Sequence, residues 1–287
     1  MIYKEYAPAK INLFLDVVSK REDGYHDLGT AFQTIDAGDT LEASLRKDSV
    51  ITLRYNKAQD YPVETDLVYR AAHLLQSEFN VKSGADLYLN KIMPIGAGLG
   101  AGSADAAAAL RLLNKIWGLS LTSAQLESLG TRLGADVPFL IQGGLALAEG
   151  IGDHLTPMPS IDWPTDMVLL VATPLCFVPT KAAYAGVKPS GEGRWHKWKS
   201  NFNSSGIPEL FNKFEESVLP QFPEISKMKS DLIELGALSS LMSGSGASVF
   251  AFFESAKEAG LAAKKIENKT RWLCITKFFE KKMDLSL

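Results

Sequence analysis

The sequence predicts an α+β protein in two parts, on three observations. Strand-like alternation fills most of the first hundred residues. Helical periodicity with caps dominates the next forty or so. A proline-rich stretch, "PMPSIDWP" at 157–164, then interrupts the pattern before strands and helices resume. The predicted domains are residues 1–157 and 158–287.

In the first part "INLFLDVV" (11–18), "TLEASLR" (40–46), "SVITLRY" (49–55) and "ADLYLNKI" (85–92) alternate as strands do. "DLVYRAAHLLQSEF" (66–79) reads as a helix with Asp66 as N-cap and Leu67, Ala71, Leu74 and Leu75 on one face. Ser103 is placed to cap a helix running to Trp117, with Gly118 just past its end. Thr122 and Gln125 have the spacing of a capping box. "ADVPFL" (135–140) begins a new element, and "GGLALAEG" (143–150) reads as a strand of small residues.

In the second part "DMVLLVA" (166–172), "VFAFF" (249–253) and "WLCITKFF" (272–279) read as strands. Residues 223–235 and 256–267 read as helices. The polar, Trp-containing stretch 189–205 reads as loop. No fixed-period repeat and no low-complexity tract is present.

With 287 residues, 46% apolar and 22% charged, the chain has the composition of a soluble globular protein. A net charge of -3 gives no global electrostatic reason to expect nucleic acid or an anionic membrane as partner. The start of the chain shows no signal-peptide core, and the longest apolar stretch, "MVLLVATPL" (167–175), is too short to span a bilayer. A cytoplasmic protein, monomer or homodimer, is the expectation. Cys176 and Cys274 share no metal-ligand spacing and read as two buried thiols. No His/Cys/Asp cluster predicts a protein-held metal.

The chemistry concentrates in "PIGAGLGAGSADAAAAL" (94–110), where Gly96, Gly98, Gly100 and Gly102 recur at every second position among Pro94, Ile95, Ala97, Leu99, Ala101, Ser103 and Ala104. A Walker-type P-loop fails, because Ser103 is followed by Ala104 and no lysine is present. A dinucleotide turn can be forced through Gly96, Gly98 and Ala101. Pro94 and the want of a ribose-binding acid weaken it. Small residues would let backbone N–H groups approach an anion at a helix N-terminus. A loop that only lets the helix pack tightly explains the stretch equally well on its own terms.

Other residues bear on this choice. Lys10 and Asn12 alternate, hence share one face of a strand, although a snorkelling lysine is the commoner case. Tyr25 and His26 lie beside a glycine turn. Asp136, before Val137 and Pro138 in an apolar setting, is either a cap or a paired, functional acid. "MSGSGAS" (242–248) taken alone is a turn.

The order of "PAKINLFL", "DGYH", "PIGAGLGAGSADAA", "GADVPF" and "SGSGAS" resembles the GHMP kinases, and within them the members that act on a cytidine diphosphate ester of a branched tetritol. The resemblance implies a two-domain α+β fold with mixed sheets, helices packed on them and the active site in the inter-domain cleft. It implies ATP and Mg2+ as cofactors and transfer of the γ-phosphoryl group to the 2-hydroxyl of the tetritol, in non-mevalonate isoprenoid precursor biosynthesis. By motif position Asp136 would be the general base and Lys10 its partner. The Pro94–Ala104 loop, with Asp66 and Lys91, would hold ATP. Asn12, Tyr25, His26, Thr180 and Tyr184 would hold the cytidine end, the base between Tyr25 and Tyr184. Ser243, Gly244, Ser245 and Gly246 would close the site. Three departures stand out: Ala101 and Ala104 where the family commonly has glycine and serine, and Asp66 where it often has asparagine. A sister kinase acting on mevalonate or homoserine, and a non-catalytic nucleotide-binding protein, are the alternatives; a nicotinamide oxidoreductase rests only on the forced dinucleotide turn.

Overall fold

The computed structural model describes residues 1–203 and 206–279. In chain order its strands are β1 (Tyr3–Lys20), β2 (His26–Leu45), β3 (Ile51–Tyr55), β4 (Ala85–Asn90), β5 (Leu145–Glu149), β6 (His154–Met158), β7 (Val168–Pro174), β8 (Phe211–Asn212), β9 (Ser239–Met242), β10 (Val249–Phe253) and β11 (Thr270–Thr276). The helices are α1 (Leu67–Glu78), α2 (Ala101–Ile116), α3 (Ser123–Thr131), α4 (Val137–Gln142), α5 (Thr180–Gly186), α6 (Gly193–Asn201), α7 (Glu215–Val218), α8 (Pro223–Glu234) and α9 (Ala256–Ile266).

These elements make an α+β fold of two sheets. The larger runs β3-β4-β2-β1-β8, with β5 pairing β2 and β6; the smaller runs β11-β7-β10-β9. The polar turn after β2 does not make a hairpin, because β4 inserts between its two strands, antiparallel to β2 and parallel to β3. β1 and β2 are far longer than their alternating segments. Register shifts at residues 8–10, 12–14 and 17–19 of β1 break the period without ending the strand.

Buried side chains form three clusters. One packs Val68, Ala71 and Leu75 of α1 and Ala106–Leu110 of α2 on the larger sheet. A second packs α8 and α9 on the smaller sheet. The third joins the sheets: Ala9, Ile11 and Leu13 of β1 meet Leu169 and Val171 of β7 and Phe250 and Phe252 of β10. The two halves are therefore fused by an apolar layer, which fixes residues of one half against the other.

Local signals in the sequence produce several of these elements. Asp66 caps α1, its carboxylate accepting from the Val68 N–H at 2.8 Å. Thr122 and Gln125 form the capping box of α3. Helix α2 departs from expectation: Gly100, left-handed at φ 66°, is its N-cap, and Ser103 lies inside the first turn. The helix thus starts earlier and turns the N–H groups of Ala101, Gly102 and Ser103, which have no carbonyl ahead of them in the helix, toward the loop.

Two further expectations are corrected. Residues 193–201 within the expected loop 189–205 are helix α6, with Trp195 and Trp198 buried and their indole N–H groups donating to Glu149 Oε1 and the Glu209 carbonyl. One turn of helix carries both anchors, and the polar residues between them, His196 and Lys197, hide the apolar face. Ser204 and Ser205, at the end of that stretch, lie outside the described residues, as does everything beyond Phe279. Cys176 and Cys274 are free and only half-buried, because Cys176 sits in the exposed segment after β7 and Cys274 on edge strand β11. Among the described residues no helix is long and apolar enough to cross a membrane.

Candidate active site

A cleft of about 580 Å³ opens where the loop before α2, the middle of β1, the turn before α4 and the Ser243–Ser248 loop converge. Lys10 is 4% exposed on β1. Its backbone N–H donates to the Leu99 carbonyl at 2.9 Å, which ties β1 to the glycine loop. Its ammonium donates to Asn12 Oδ1 at 2.8 Å, stands 3.5 Å from Asp136 Oδ2 and lies 4.9 Å from the centre of the Phe32 ring.

Asp136 occupies the N-cap position of α4, with Pro138 in the first turn, yet its side chain makes no capping hydrogen bond. The cap reading of this acid therefore fails. The carboxylate faces Lys10 and remains 30% exposed toward the cleft. The loop approaches this pair at Gly100. A Cβ built there would lie 3.1 Å from Lys10 Cε and 3.4 Å from Asp136 Oδ2, so only a residue without a side chain lets the start of α2 come so near.

The loop alternates in structure as in sequence. Gly96, Gly98 and Gly100 have left-handed backbones, while Ala97, Leu99 and Ala101 between them are buried. Gly102 is helical and meets only Leu67 at ordinary contact distance. The smaller-sheet half clamps the loop. Ser243 Oγ donates to the Gly98 carbonyl at 2.9 Å, the Ser248 N–H to the Ala97 carbonyl at 3.1 Å, and Arg271 to the Ile95 carbonyl at 3.2 Å. Phe177 fills the space beside Gly96. From Gly96 to Gly100 the loop is thus a splinted turn whose outward groups are backbone.

Most residues singled out in the sequence line this cleft: Lys10, Asn12, Asp66, Lys91, Pro94 through Ser103, Asp136, Thr180, Tyr184, Gly244 and Ser245. Several expected contacts are revised. Ala104 is 1% exposed with its N–H donating to the Gly100 carbonyl, so the missing hydroxyl belongs to a core position. Ser243 and Gly246 sit behind the cleft wall: Ser243 is fully buried on Gly98, and Gly246 donates to the Ser243 carbonyl. Asp66 has both oxygens occupied, by the Val68 N–H and by the hydroxyls of Tyr55 and Tyr61.

Lys91 brings no free charge to the cleft, because its ammonium is taken up by Asp39 at 2.8 Å and Asp105 at 2.6 Å. Burial works to lower its pKa, but the two carboxylates outweigh that and hold it above the ordinary lysine range. Burial pushes the Asp105 carboxyl well above the usual carboxylate range, with Asp39 adding to the effect and Lys91 opposing it. Asp39 also accepts from the N–H groups of Ile92 and Met93, fixing the entry to the loop.

Of the residues expected to hold cytidine, the structure brings His26 and Tyr184 together, ring centroids 5.1 Å apart, and sets Phe214 against Tyr184 at 4.6 Å. Tyr25 is 62% exposed and outside the cleft lining, so the expected Tyr25–Tyr184 pair is not assembled in this conformation; a glycine turn carries Tyr25 outward while its N–H is held by Asp23. Burial lowers the His26 pKa from its ordinary value, with Lys20 adding, which favours the neutral imidazole. Burial and then Asp136 push the Tyr184 phenol up to about 12. Thr180 and Ser245 share a hydrogen bond at 3.2 Å across the cleft mouth.

A buried lysine, an acid and the open N-terminus of a helix at one point make a site for anion binding and proton removal. Family comparisons agree with that chemistry. Residues 66–144 match the GHMP kinases N terminal domain and residues 192–270 the GHMP kinases C terminal domain. The chain belongs to the GHMP kinases. It is 41% identical over 268 residues to a 4-diphosphocytidyl-2-C-methyl-D-erythritol kinase of Burkholderia cenocepacia, covering 91% of this chain and 88% of that one. A kinase of the same name from Acaryochloris marina is 36% identical over 283 residues, covering 92% and 91%. A solved 4-(cytidine 5'-diphospho)-2C-methyl-D-erythritol kinase superposes with a TM-score of 0.76 at 32% identity, over 96% of this chain and 99% of that one. Homoserine kinase from Cytophaga hutchinsonii, with a TM-score of 0.74 at 20% identity over 98% and 96%, shares the fold. This GHMP kinase is a small-molecule kinase, and its family implies ATP as phosphoryl donor.

The sequence had not singled out Asp39, Asp105, Phe214 or Arg271. Asp39 and Asp105 carried no mutual spacing signal, because they come from β2 and α2, 66 positions apart, and Lys91 joins them only in the fold.

Proposed function

We propose that this GHMP kinase transfers the γ-phosphoryl group of ATP to the 2-hydroxyl of 4-diphosphocytidyl-2-C-methyl-D-erythritol, a step of non-mevalonate isoprenoid precursor biosynthesis in the cytoplasm. The observation that carries the reading is the Lys10–Asp136 pair beside Gly100 at the N-terminus of α2, in one cleft with Tyr184 and, at its rim, His26. The names of the 36–41% identical relatives supply the substrate.

In this reading an alcohol, a poor nucleophile, gives up its proton to Asp136 as it attacks phosphorus, and ADP leaves. Lys10 orients Asp136 and offsets charge on the transferring group. Backbone N–H groups of Gly96–Ser103 receive the phosphates, with the positive end of α2 behind them. The cytosine lies against Tyr184 and is read by neutral His26, with Tyr25 closing over it from the rim. Thr180 and Ser245 flank the diphosphate side, and the boundary between the halves falls after β6, near residue 158.

Among the described residues no group of three or more His, Cys, Asp or Glu could hold a metal ion. The cleft acids are already paired or bonded, so Mg2+ fits as an ion carried mainly by phosphate oxygens and water. When bound it would neutralise charge on those oxygens.

Incubation with ATP, Mg2+ and the cytidine substrate is expected to yield ADP and the 2-phosphorylated product. Turnover of mevalonate or homoserine in its place would overturn the substrate assignment. Tyr184→Ala is expected to raise KM for the cytidine substrate roughly tenfold, as loss of an aromatic platform for a base does, with KM for ATP unchanged. Equal effects on both KM values would remove Tyr184 from the base site. Tyr25→Ala is expected to act on the same KM.

A further inference from the structure

We propose that Thr30 is a positioning residue for phosphoryl transfer: it fixes the side-chain amide of Asn12, and through it the ammonium of Lys10 beside Asp136. The role rests on the reading of Lys10 and Asp136 given above.

β2 carries Thr30 and Phe32 at alternate positions, on the face of the sheet that bears Lys10 and Asn12 of β1. The Thr30 hydroxyl donates to the Phe14 carbonyl at 2.7 Å. A hydroxyl has one proton, so toward Asn12 it offers only a lone pair. The Asn12 Nδ2 group donates to that lone pair at 2.8 Å. The amide oxygen must then face Lys10, whose ammonium donates to it at 2.8 Å. A flipped amide would set N–H against an ammonium and oxygen against a hydroxyl with no proton left to give. Thr30, Asn12 and Lys10 are 0%, 1% and 4% exposed, so solvent offers little substitute for any link. Asn12 is therefore committed first to Lys10 and Thr30, which accounts for a second polar residue on an otherwise apolar stretch of β1.

Thr30→Val keeps the shape and removes both hydrogen bonds. It is expected to lower kcat about tenfold or more, as a misplaced catalytic group does, with KM for both substrates within about twofold. Thr30→Ser, which keeps the hydroxyl, is expected to restore kcat to within about threefold of the parent. Thr30→Cys, a weak donor and acceptor in the same place, is expected to fall between, and serves if the valine variant does not fold. The Asn12 side-chain amide protons, followed by NMR in the ligand-free protein, are expected to exchange slowly in the parent and Thr30→Ser and faster in Thr30→Val. That measurement needs no turnover, so it decides the relay even if the substrate assignment fails. An unchanged kcat in Thr30→Val, equal losses in the valine and serine variants, or equal amide protection in all of them would overturn the proposal.

Discussion

Asp136→Ala is expected to lower kcat by roughly 100-fold or more, the usual range for loss of a general base, while leaving KM for ATP within about threefold. Three features make the effect chemical rather than structural. The carboxylate caps nothing, although its residue sits at the N-cap of α4. It is 30% exposed on its cleft side, where an acceptor hydroxyl can reach it. Its charged neighbour, Lys10, is almost wholly buried, and its ammonium donates to Asn12 Oδ1. The last feature complicates the alanine variant, since removing one member of a buried ion pair leaves the other poorly compensated. Asp136→Asn is the companion measurement: it keeps the size and hydrogen-bonding capacity but cannot take a proton. Both variants should lose kcat alike, whereas any fall in Tm should be larger for alanine. If Lys10→Met is added to Asp136→Asn, the losses should be far from additive, because the two side chains act as a unit. A fall in kcat of less than about threefold in Asp136→Asn would count against the base role.

Much of this arrangement was legible from local signals. The Asp66 cap, the Thr122–Gln125 capping box and the alternation of β4 are short-range devices, and the chain uses them as the spacing implies. Lys10 and Asn12 were legible as a pair because alternation puts them on one face. What lay beyond reach was which partner each polar group finds across the fold. Asp66 looked available to a ligand, yet Tyr55 and Tyr61, one from a strand and one from a loop, occupy it. Lys91 looked like a phosphate-binding cation, yet Asp39 and Asp105, 52 positions before it and 14 after it, take its charge. The insertion of β4 between β2 and β3 has the same origin: pairing order is decided by tertiary packing, which the alternation of a single strand does not encode. Helix α6 failed for a different reason. Its two tryptophans carry the whole apolar signal in one turn, too little for a periodicity to emerge.

Gly98→Ala is expected to damage the protein more than any other single-methyl change in the glycine loop before α2. Gly98 has φ 77°, where a side chain costs about 1–2 kcal/mol. A Cβ there would also overlap the Ser243 carbonyl oxygen, a backbone atom that cannot swing aside as a flexible side-chain end would. Ser243 is fully buried and fixed on both sides, its N–H donating to the Ser248 carbonyl and its hydroxyl to the Gly98 carbonyl. Relief must therefore come from separating the two loops, at an overpacking cost of about 1–3 kcal/mol. Together these predict a loss of about 2–5 kcal/mol, which lowers Tm by on the order of 3–8 °C in a chain of this size. The same separation would break the clamp on the Gly98 and Ala97 carbonyls, so surviving enzyme should show a raised KM for ATP. Gly102→Ala is the control that separates stability from ligand approach. Its backbone is helical, and the new methyl meets only Leu67 Cδ1 at 3.8 Å. Alanine in the first turn of α2 should leave Tm unchanged or slightly raised, since it favours the helix. Any rise in KM for ATP in that variant would then report a phosphate approaching the backbone at residue 102. A Tm for Gly98→Ala within about 1 °C of the parent, with KM for ATP unaltered, would show that the Ser243 loop does not hold the glycine loop in place.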